Sequence, residues 1–466
     1  MPHDFDFLVL GAGPAGLRAA VEASELGKRV CVVEKAALIG GAGLHTGTVP
    51  SKTLRETALY YSGFLQRGLY GVDFSVPREQ ISVAKFMVRK TQVLAAVHDD
   101  IRRLVQDSGV KVVHGAAEFV DPHRVLVRGA NGETQEISSE FVLVATGTSP
   151  RHPPGFPFED PDVVDSDSIL ELDRIPESLT VLGGGVIGCE YASIFAALGV
   201  PVTVIEGRNE ILGNFDLEIT RLLRERMEHL GVRFLFGDGI ERIVHKPGPG
   251  VEVHTTSGAT WIAGKVLIAA GRTGNIGGLG LEKIGVRVDD RQHVVVDAEY
   301  RTSVPNVFAA GDVLGFPALA STGMEQGRLA ALCAFGCGAL TELEKTLPYG
   351  LYTVPEASSF GLSEEEARAK NLDFEIGRAW YRENPRGQIV GDVFGLLKLV
   401  FDRPTRRILG VHIVGEKATE LVHIGQAVME LGGTLDYFTR VVMNFPTLSV
   451  LYKRAAHDGL LKLRPR

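Results

Sequence analysis

Two glycine-rich turns are the first stretches of this chain whose residue types and spacing could do chemistry. Gly11-Ala12-Gly13-Pro14-Ala15-Gly16 follows an apolar run, Asp6 to Leu10, and Gly183-Gly184-Gly185-Val186-Ile187-Gly188 follows another, Leu179 to Leu182. Each turn leads into a helical pattern, to about Leu26 in the first case and over Glu190 to Leu198 in the second. Each helix leads to a second apolar run ending in an acid, Glu34 or Glu206, 23 positions after the first Gly. In such a unit the first Gly permits a tight turn and the second lets backbone N–H groups reach a pyrophosphate at the helix N-terminus. The third lets the helix pack on the strand. The terminal acid is placed to accept hydrogen bonds from a ribose. Two complete units imply two nucleotides, with Gly11, Gly13, Pro14, Ala15, Gly16 and Glu34 on one and Gly183, Gly185, Val186, Ile187 and Glu206 on the other.

Between them runs Gly40-Gly41-Ala42-Gly43-Leu44-His45-Thr46-Gly47-Thr48-Val49-Pro50-Ser51-Lys52, which offers an imidazole, a hydroxyl and a cation but no thiol. The four cysteines, Cys31, Cys189, Cys333 and Cys337, lie in apolar surroundings and read as packing residues. Cys333 and Cys337 could share a helix face, but with no His or carboxylate partner nearby they make a poor metal site, so no metal is expected.

The elements that must position these groups follow a repeating plan. Val142 to Gly147 and Val266 to Arg272 are apolar strands ending in a small-small-Gly turn, as two similar domains would give. Ala320 to Leu340 reads as a helix. After about residue 346 the pattern changes to a mixed α/β domain, with strands at Leu397 to Phe401 and Ile408 to Ile413 and a helix through His423. The expected fold is α/β, with two Rossmann-like dinucleotide-binding domains and a C-terminal α/β domain.

Composition narrows the partners. Hydrophobic residues make up 45% of the 466 and charged residues 23%, ordinary for a globular enzyme. A net charge of −8 with no long block of like charge gives no reason to expect nucleic acid. No apolar run reaches the roughly 18 residues of a membrane span. The acidic start at Met1-Pro2-His3-Asp4 does not read as a secretion signal, so a cytoplasmic location is expected. Lys462 to Arg466 reads as a solvated tail.

The Gly40 to Lys52 stretch resembles the redox loop of the flavoprotein disulfide reductase family, the class I pyridine nucleotide-disulfide oxidoreductases, in which Gly-Gly-x-Cys-x-x-x-x-Cys-x-Pro-Ser-Lys places a disulfide on a flavin. Gly43 and Thr48 stand at the two cysteine positions. The family's acid/base His before Pro-Thr and the Glu five residues on correspond to Phe445 and Val450. Disulfide reduction needs a thiolate and a proton carrier, and neither is present.

Likeness to the soluble pyridine nucleotide transhydrogenase group is carried by His45 with Gly47-Thr48-x-Pro50-Ser51-Lys52, by Asp165 to Leu170, by Gly185 to Phe195, by Gly271-Arg272-Thr273-Gly274-Asn275, and by His423 to Ala427. That group tends to keep one Cys where this chain has Gly43.

The resemblance implies FAD on the first unit, held also by Gly43, Thr48, Lys52, Thr146, Gly147, Arg272, Gly311, Asp312, Leu319, Ala320 and Ser321. Asp312 takes the position that holds the ribityl chain, and the helix beginning at Ala320 points its dipole at the pyrimidine end of the flavin. NAD(H) is implied on the second unit, with Gly271 near it. Lys52 and Glu190 are implied to pair beside flavin N5, Val186 to gate the nicotinamide side, and Thr48 to line the opposite face; His45 either caps the loop or lines that face.

Glu206 favours NADH and would repel a 2′-phosphate, with Arg208 compensating in part, so NADP(H) is expected as the weaker nucleotide. The domains implied are 1–148 and 272–345 for FAD, 149–271 for NAD(P) and 346–466 for homodimerisation. The activity implied is FAD-dependent hydride transfer between NAD(H) and NADP(H). The alternatives are an NADH-dependent quinone reductase and a nucleotide-binding regulatory protein without turnover.

Overall fold

Apolar runs without polar alternation suit parallel strands covered on both faces, and Phe5–Leu10 is one, buried from Phe7 to Leu10. In the computed structural model, which describes residues 3–64, 68–337 and 346–464, this strand pairs in parallel with Val30–Glu34 on one side and Thr134–Val144 on the other. Lys111–His114 extends the sheet beyond Val30–Glu34, and Val307–Ala309 pairs with Thr134–Val144. Arg124–Arg128 and Ala116–Asp121 continue it as an antiparallel edge. These strands belong to a unit made of Met1–Thr53, Val88–Arg151 and Ala270–Lys345. Its helices Pro14–Glu25 and Ala320–Ala334 pack on each other through small residues, since a Cβ at Gly327 would lie 2.1 Å from the Ala15 carbonyl oxygen.

The other unit, Leu54–Met87, His152–Ala269 and Thr346–Arg466, repeats the plan. Five parallel strands run in the order Val232–Phe236, Val202–Glu206, Leu179–Leu182, Lys265–Ile268 and Val163–Val164. A five-stranded antiparallel sheet after residue 346, which includes Leu396–Asp402 and Ile408–Val414, packs against the helices Ala418–Glu430 and Val450–Lys462. The fold is the expected α/β combination.

A buried ion cluster joins the nucleotide half of this unit to its C-terminal sheet. Asp216 caps two helices at once: Oδ1 accepts from the Glu218 N–H of Leu217–His229 at 3.1 Å, and Oδ2 accepts from the Glu364 N–H that opens Glu364–Ala369 at 3.1 Å. Lys398 Nζ, fully buried on its strand, lies 2.9 Å from Asp216, 3.0 Å from Glu218 and 2.8 Å from Glu364. Burial alone would lower the Lys398 pKa, but these carboxylates outweigh it and hold it above the ordinary lysine value.

Several elements differ from expectation. The helix from Ala320 stops at Ala334, where Gly336 turns the chain in the left-handed region; residues 338–340 of the expected helix lie outside the described ones. Cys337 therefore lies past the helix end and is exposed, while Cys31 and Cys189 are buried as expected. The second nucleotide helix starts at Val186, a turn before Glu190. Lys462 ends the last helix and donates to the Ile376 carbonyl at 2.9 Å, so it is no solvated tail; Pro465 and Arg466 lie outside the described residues. Among the described residues no helix is long and apolar enough to cross a membrane.

Asp392 gives a pH test of the C-terminal domain. Burial pushes its carboxyl from 3.8 up to about 6, against the pull of the Glu416 backbone N–H, and the Glu416 carboxylate adds to the rise while Arg226 opposes it. A folded-state pKa above the unfolded one means the folded protein holds the proton longer, so stability falls as pH rises from about 4 to about 6 and stays reduced above. Asp392→Asn keeps an oxygen for the Glu416 N–H, 2.6 Å away. It should stabilise by about 1–3 kcal/mol at pH 8 and much less at pH 4. Thermal denaturation at both pH values checks this, and an equal gain at both would refute it.

Candidate functional site

The first glycine turn is clamped on three sides. Gly11 has φ +109°, and a Cβ there would lie 2.4 Å from the Ala145 carbonyl oxygen; one on Gly16 would lie 2.0 Å from the Gly11 oxygen. Glu34 accepts the Ala12 N–H at 2.8 Å and the Ala36 N–H at 2.8 Å. Gly13 precedes Pro14 at the start of a helix with no side-chain cap. Its first N–H groups therefore face outward as an anion site.

Around this turn the same unit gathers other residues expected to hold the flavin. Thr146 Oγ1 is buried with no partner among the described residues, the kind of atom a bound group would satisfy. Gly147 has φ +66°, and its carbonyl accepts the Asn275 N–H at 2.9 Å. Arg272–Gly274 pairs with Thr148–Pro150, so Arg272 Nε donates to Thr148 Oγ1 at 2.8 Å. Thr148 in turn reaches Asp312 Oδ2 at 3.4 Å. Burial raises the Asp312 pKa, with Arg272 and Thr148 opposing it. Gly311, at φ +81°, donates its N–H to Gln326 Oε1 at 2.9 Å. Leu319 precedes the uncapped helix whose first residues are Ala320 and Ser321. These residues fit an FAD. Thr148 and Gln326 escaped the sequence reading because their partners come from sheet pairing and helix packing.

The Gly40 to Lys52 stretch is laid over the same turn. Gly40, at φ +118°, donates to the Ala12 carbonyl at 2.8 Å. A Cβ on Gly41 would come within 2.6 Å of Gly13 Cα, and one on Gly43 within 2.7 Å of Pro14 Cγ. Gly41–His45 forms a short helix and Thr48 begins the next, Thr48–Ser62, so little of the stretch is loop. His45 Nε2 lies 2.8 Å from the Ile39 carbonyl, which favours loop closure for this residue. Lys52 Nζ reaches Ser51 Oγ at 3.4 Å.

The second turn repeats the first. Gly183 has φ +110°, with a Cβ position 2.5 Å from the Ala269 oxygen, and Gly185 precedes an uncapped helix. Val186 opens that helix 37% exposed, and Ile187 follows it half-buried. Glu206 accepts the Gly184 N–H at 2.7 Å and the Arg208 N–H at 2.9 Å. Burial raises its pKa, but the Arg208 side chain and these N–H groups outweigh burial and hold it below the ordinary glutamate range. Glu190 is buried and accepts the Tyr352 N–H at 3.0 Å, tying the nucleotide helix to the C-terminal segment. Lys52 and Gly271 belong to the first unit and Glu190 to the second.

Residues 5–327 match the model of the pyridine nucleotide-disulphide oxidoreductases, and residues 347–456 match that family's dimerisation domain. The chain belongs to the pyridine nucleotide-disulphide oxidoreductase family. Similar members include the soluble pyridine nucleotide transhydrogenase of Mycobacterium tuberculosis (strain ATCC 25177 / H37Ra), 43% identical over 465 residues that cover 99% of this chain and 98% of the relative. The soluble pyridine nucleotide transhydrogenase of Photorhabdus laumondii is 39% identical over 98% of this chain and 99% of its own.

Among solved structures, the HOCl-induced flavoprotein disulfide reductase RclA from Escherichia coli matches with a TM-score of 0.88 at 28% identity, covering 97% of this chain and 99% of that one. LpdA from Mycobacterium tuberculosis matches with a TM-score of 0.89 at 29% identity, with the same coverage. This pyridine nucleotide-disulphide oxidoreductase is an FAD-dependent enzyme that uses pyridine nucleotides.

Gly43→Cys with Thr48→Cys should create a dithiol without conferring lipoamide reduction, because the side chains of Phe445 and Val450 can neither donate nor accept a proton. The Cβ at position 43 must also displace the Pro14 ring, at a cost of about 1–3 kcal/mol. Free-thiol titration, lipoamide turnover and thermal denaturation check the three parts; brisk lipoamide reduction would overturn the proton-carrier assignment.

Proposed function

We propose that this enzyme transfers hydride between NAD(H) and NADP(H) without a dithiol. The observation that carries the reading is two complete nucleotide turns in a chain whose loop at the first turn has Gly43 and Thr48 where a reductase needs sulfur. Full-length relatives named soluble pyridine nucleotide transhydrogenase support it. Bound FAD would supply the two-electron chemistry.

The remaining work belongs to the chain. Gly11, Gly13, Pro14, Ala15 and Gly16 offer helix N–H groups to the pyrophosphate, and Glu34 meets the adenosine ribose. Thr146, Gly147 and Arg272 belong to the FAD site with Asp312 on the ribityl chain, and the start of the helix at Leu319, Ala320 and Ser321 presents its positive end. Gly183, Gly185 and Ile187 do for the nicotinamide nucleotide what the first turn does for FAD. Val186 limits access to its nicotinamide end. Lys52 supplies a cation to the unit that holds the flavin, and the buried Glu190 anchors the second nucleotide helix to the Tyr352 N–H. Gly43 and Thr48 leave a small, unreactive face in place of the dithiol.

The parts divide as 1–148 and 272–345 for FAD, 149–271 for the nicotinamide nucleotide and 346–466 for a homodimer. The last rests on the family's dimerisation domain and on a C-terminal segment that exposes Val442 at 93% and Phe445 at 71%.

The test is anaerobic stopped flow on the flavin-loaded protein. One equivalent of NADH should bleach the flavin band, and thio-NADP⁺ should restore it rapidly while forming thio-NADPH. Recovery only with thio-NAD⁺ or a small quinone would refute transhydrogenation, and absence of bleaching would favour a nucleotide-binding regulator. Lys52→Met should slow the bleaching about 10²-fold or more if its cation acts at the reacting centre.

A further inference from the structure

The two nucleotide turns correspond atom for atom, and they differ in charge at the ribose end. In the first, the Ala12 and Ala36 N–H groups each donate to Glu34 at 2.8 Å. In the second, the Gly184 and Arg208 N–H groups donate to Glu206 at 2.7 and 2.9 Å. Even the next strut is shared: the Ala12 carbonyl accepts the Gly40 N–H at 2.8 Å, and the Gly184 carbonyl accepts the Leu212 N–H at 3.0 Å. Both acids are 8% exposed.

Where the first turn has Ala36, the second has Arg208, and its guanidinium folds back on the acid. Nε donates to Glu206 Oε1 at 3.0 Å and Nη2 to Oε2 at 3.3 Å. A carboxylate has about four lone-pair sites. Glu34 spends two on backbone N–H groups and keeps two for a ribose diol; Glu206 spends all four. Arg208 itself is 57% exposed along its side chain. It lies over Gly213, where a Cβ would come within 2.9 Å of Nη1, so the missing side chain leaves the guanidinium room.

We propose that Arg208 makes the second turn a reader of two ribose chemistries, a free 2′,3′-diol and a 2′-phosphate. Beside a lone carboxylate a 2′-phosphate meets only repulsion. Beside the Glu206–Arg208 pair it meets a neutral site whose guanidinium can turn outward and make charge-assisted, forked hydrogen bonds. Glu206 then stays anchored by Gly184 and the Arg208 backbone. A free diol instead displaces the guanidinium from the two outer lone pairs of Glu206. On this proposal Glu206 does not stand against NADP(H), because its charge is already answered within the chain. The inference rests on the transhydrogenase reading, which requires one site to accept both nucleotides.

Equilibrium binding of ADP-ribose and 2′-phospho-ADP-ribose to the oxidised, flavin-loaded protein tests this apart from hydride transfer, because neither ligand carries nicotinamide. Wild type should bind both. Arg208→Ala should weaken 2′-phospho-ADP-ribose about 10- to 100-fold. ADP-ribose should change by less than about threefold, because its diol then no longer competes with the guanidinium. Arg208→Lys, which keeps the charge without the fork, should fall between, and wild-type affinity for the phosphorylated ligand should drop more steeply with salt.

Equal losses for both ligands in Arg208→Ala, or a wild type that rejects the phosphorylated ligand, would overturn the assignment. Should that variant fail to retain flavin, Arg208→Lys and the salt dependence decide. If both ligands bind as expected while thio-NADP⁺ leaves the reduced flavin untouched, the transhydrogenase reading fails and the Arg208 assignment stands.

Discussion

Everything in the nucleotide-binding parts of this enzyme depends on one arrangement: a buried carboxylate at a strand end that receives N–H groups from a glycine turn. A carboxylate so enclosed is costly unless hydrogen-bonded, and turn N–H groups directed inward are costly unless accepted, so each makes the other tolerable. Glu34 and Glu206 both do this. The clamp is completed by the carbonyl of Ala145 or Ala269, which leaves no room for a Cβ on Gly11 or Gly183. The phosphate-facing end of each site is thus braced by the strands on either side of the turn.

The loop that sits over the first turn inherits its position from the same clamp. Gly40 bonds to Ala12, Gly41 lies on Gly13 and Gly43 lies on Pro14. None of these contacts involves sulfur. The loop therefore stands on backbone and proline contacts, with no cysteine in the Gly40 to Lys52 stretch.

The glycine turns, their strands and their closing acids were legible in the sequence because Gly11, Gly16, Gly183 and Gly188 answer contacts that no side chain survives. The Gly41–His45 helix was not, since a segment so rich in glycine has little helical tendency of its own and is held by the turn beneath it. The Thr148–Arg272 pair joins residues 124 apart and the Glu190–Tyr352 bond residues 162 apart, and local patterns carry no trace of either. Lys398 sits within an apolar strand, and only the fold shows Asp216, Glu218 and Glu364 converging on it. Arg208 was visible two residues from Glu206, but its return onto both carboxylate oxygens required the structure.

The placement of the cysteines has a toxicological consequence. Burial pushes the Cys31 thiol up to about 11 and raises that of Cys189 further, so neither presents a thiolate at neutral pH. The loop over the first turn holds no cysteine and so no dithiol. Trivalent arsenicals, mercurials and alkylating electrophiles, which disable enzymes through such dithiols, find no target in that loop. The thiol left exposed to such reagents is Cys337, past the end of the Ala320–Ala334 helix and outside both glycine turns.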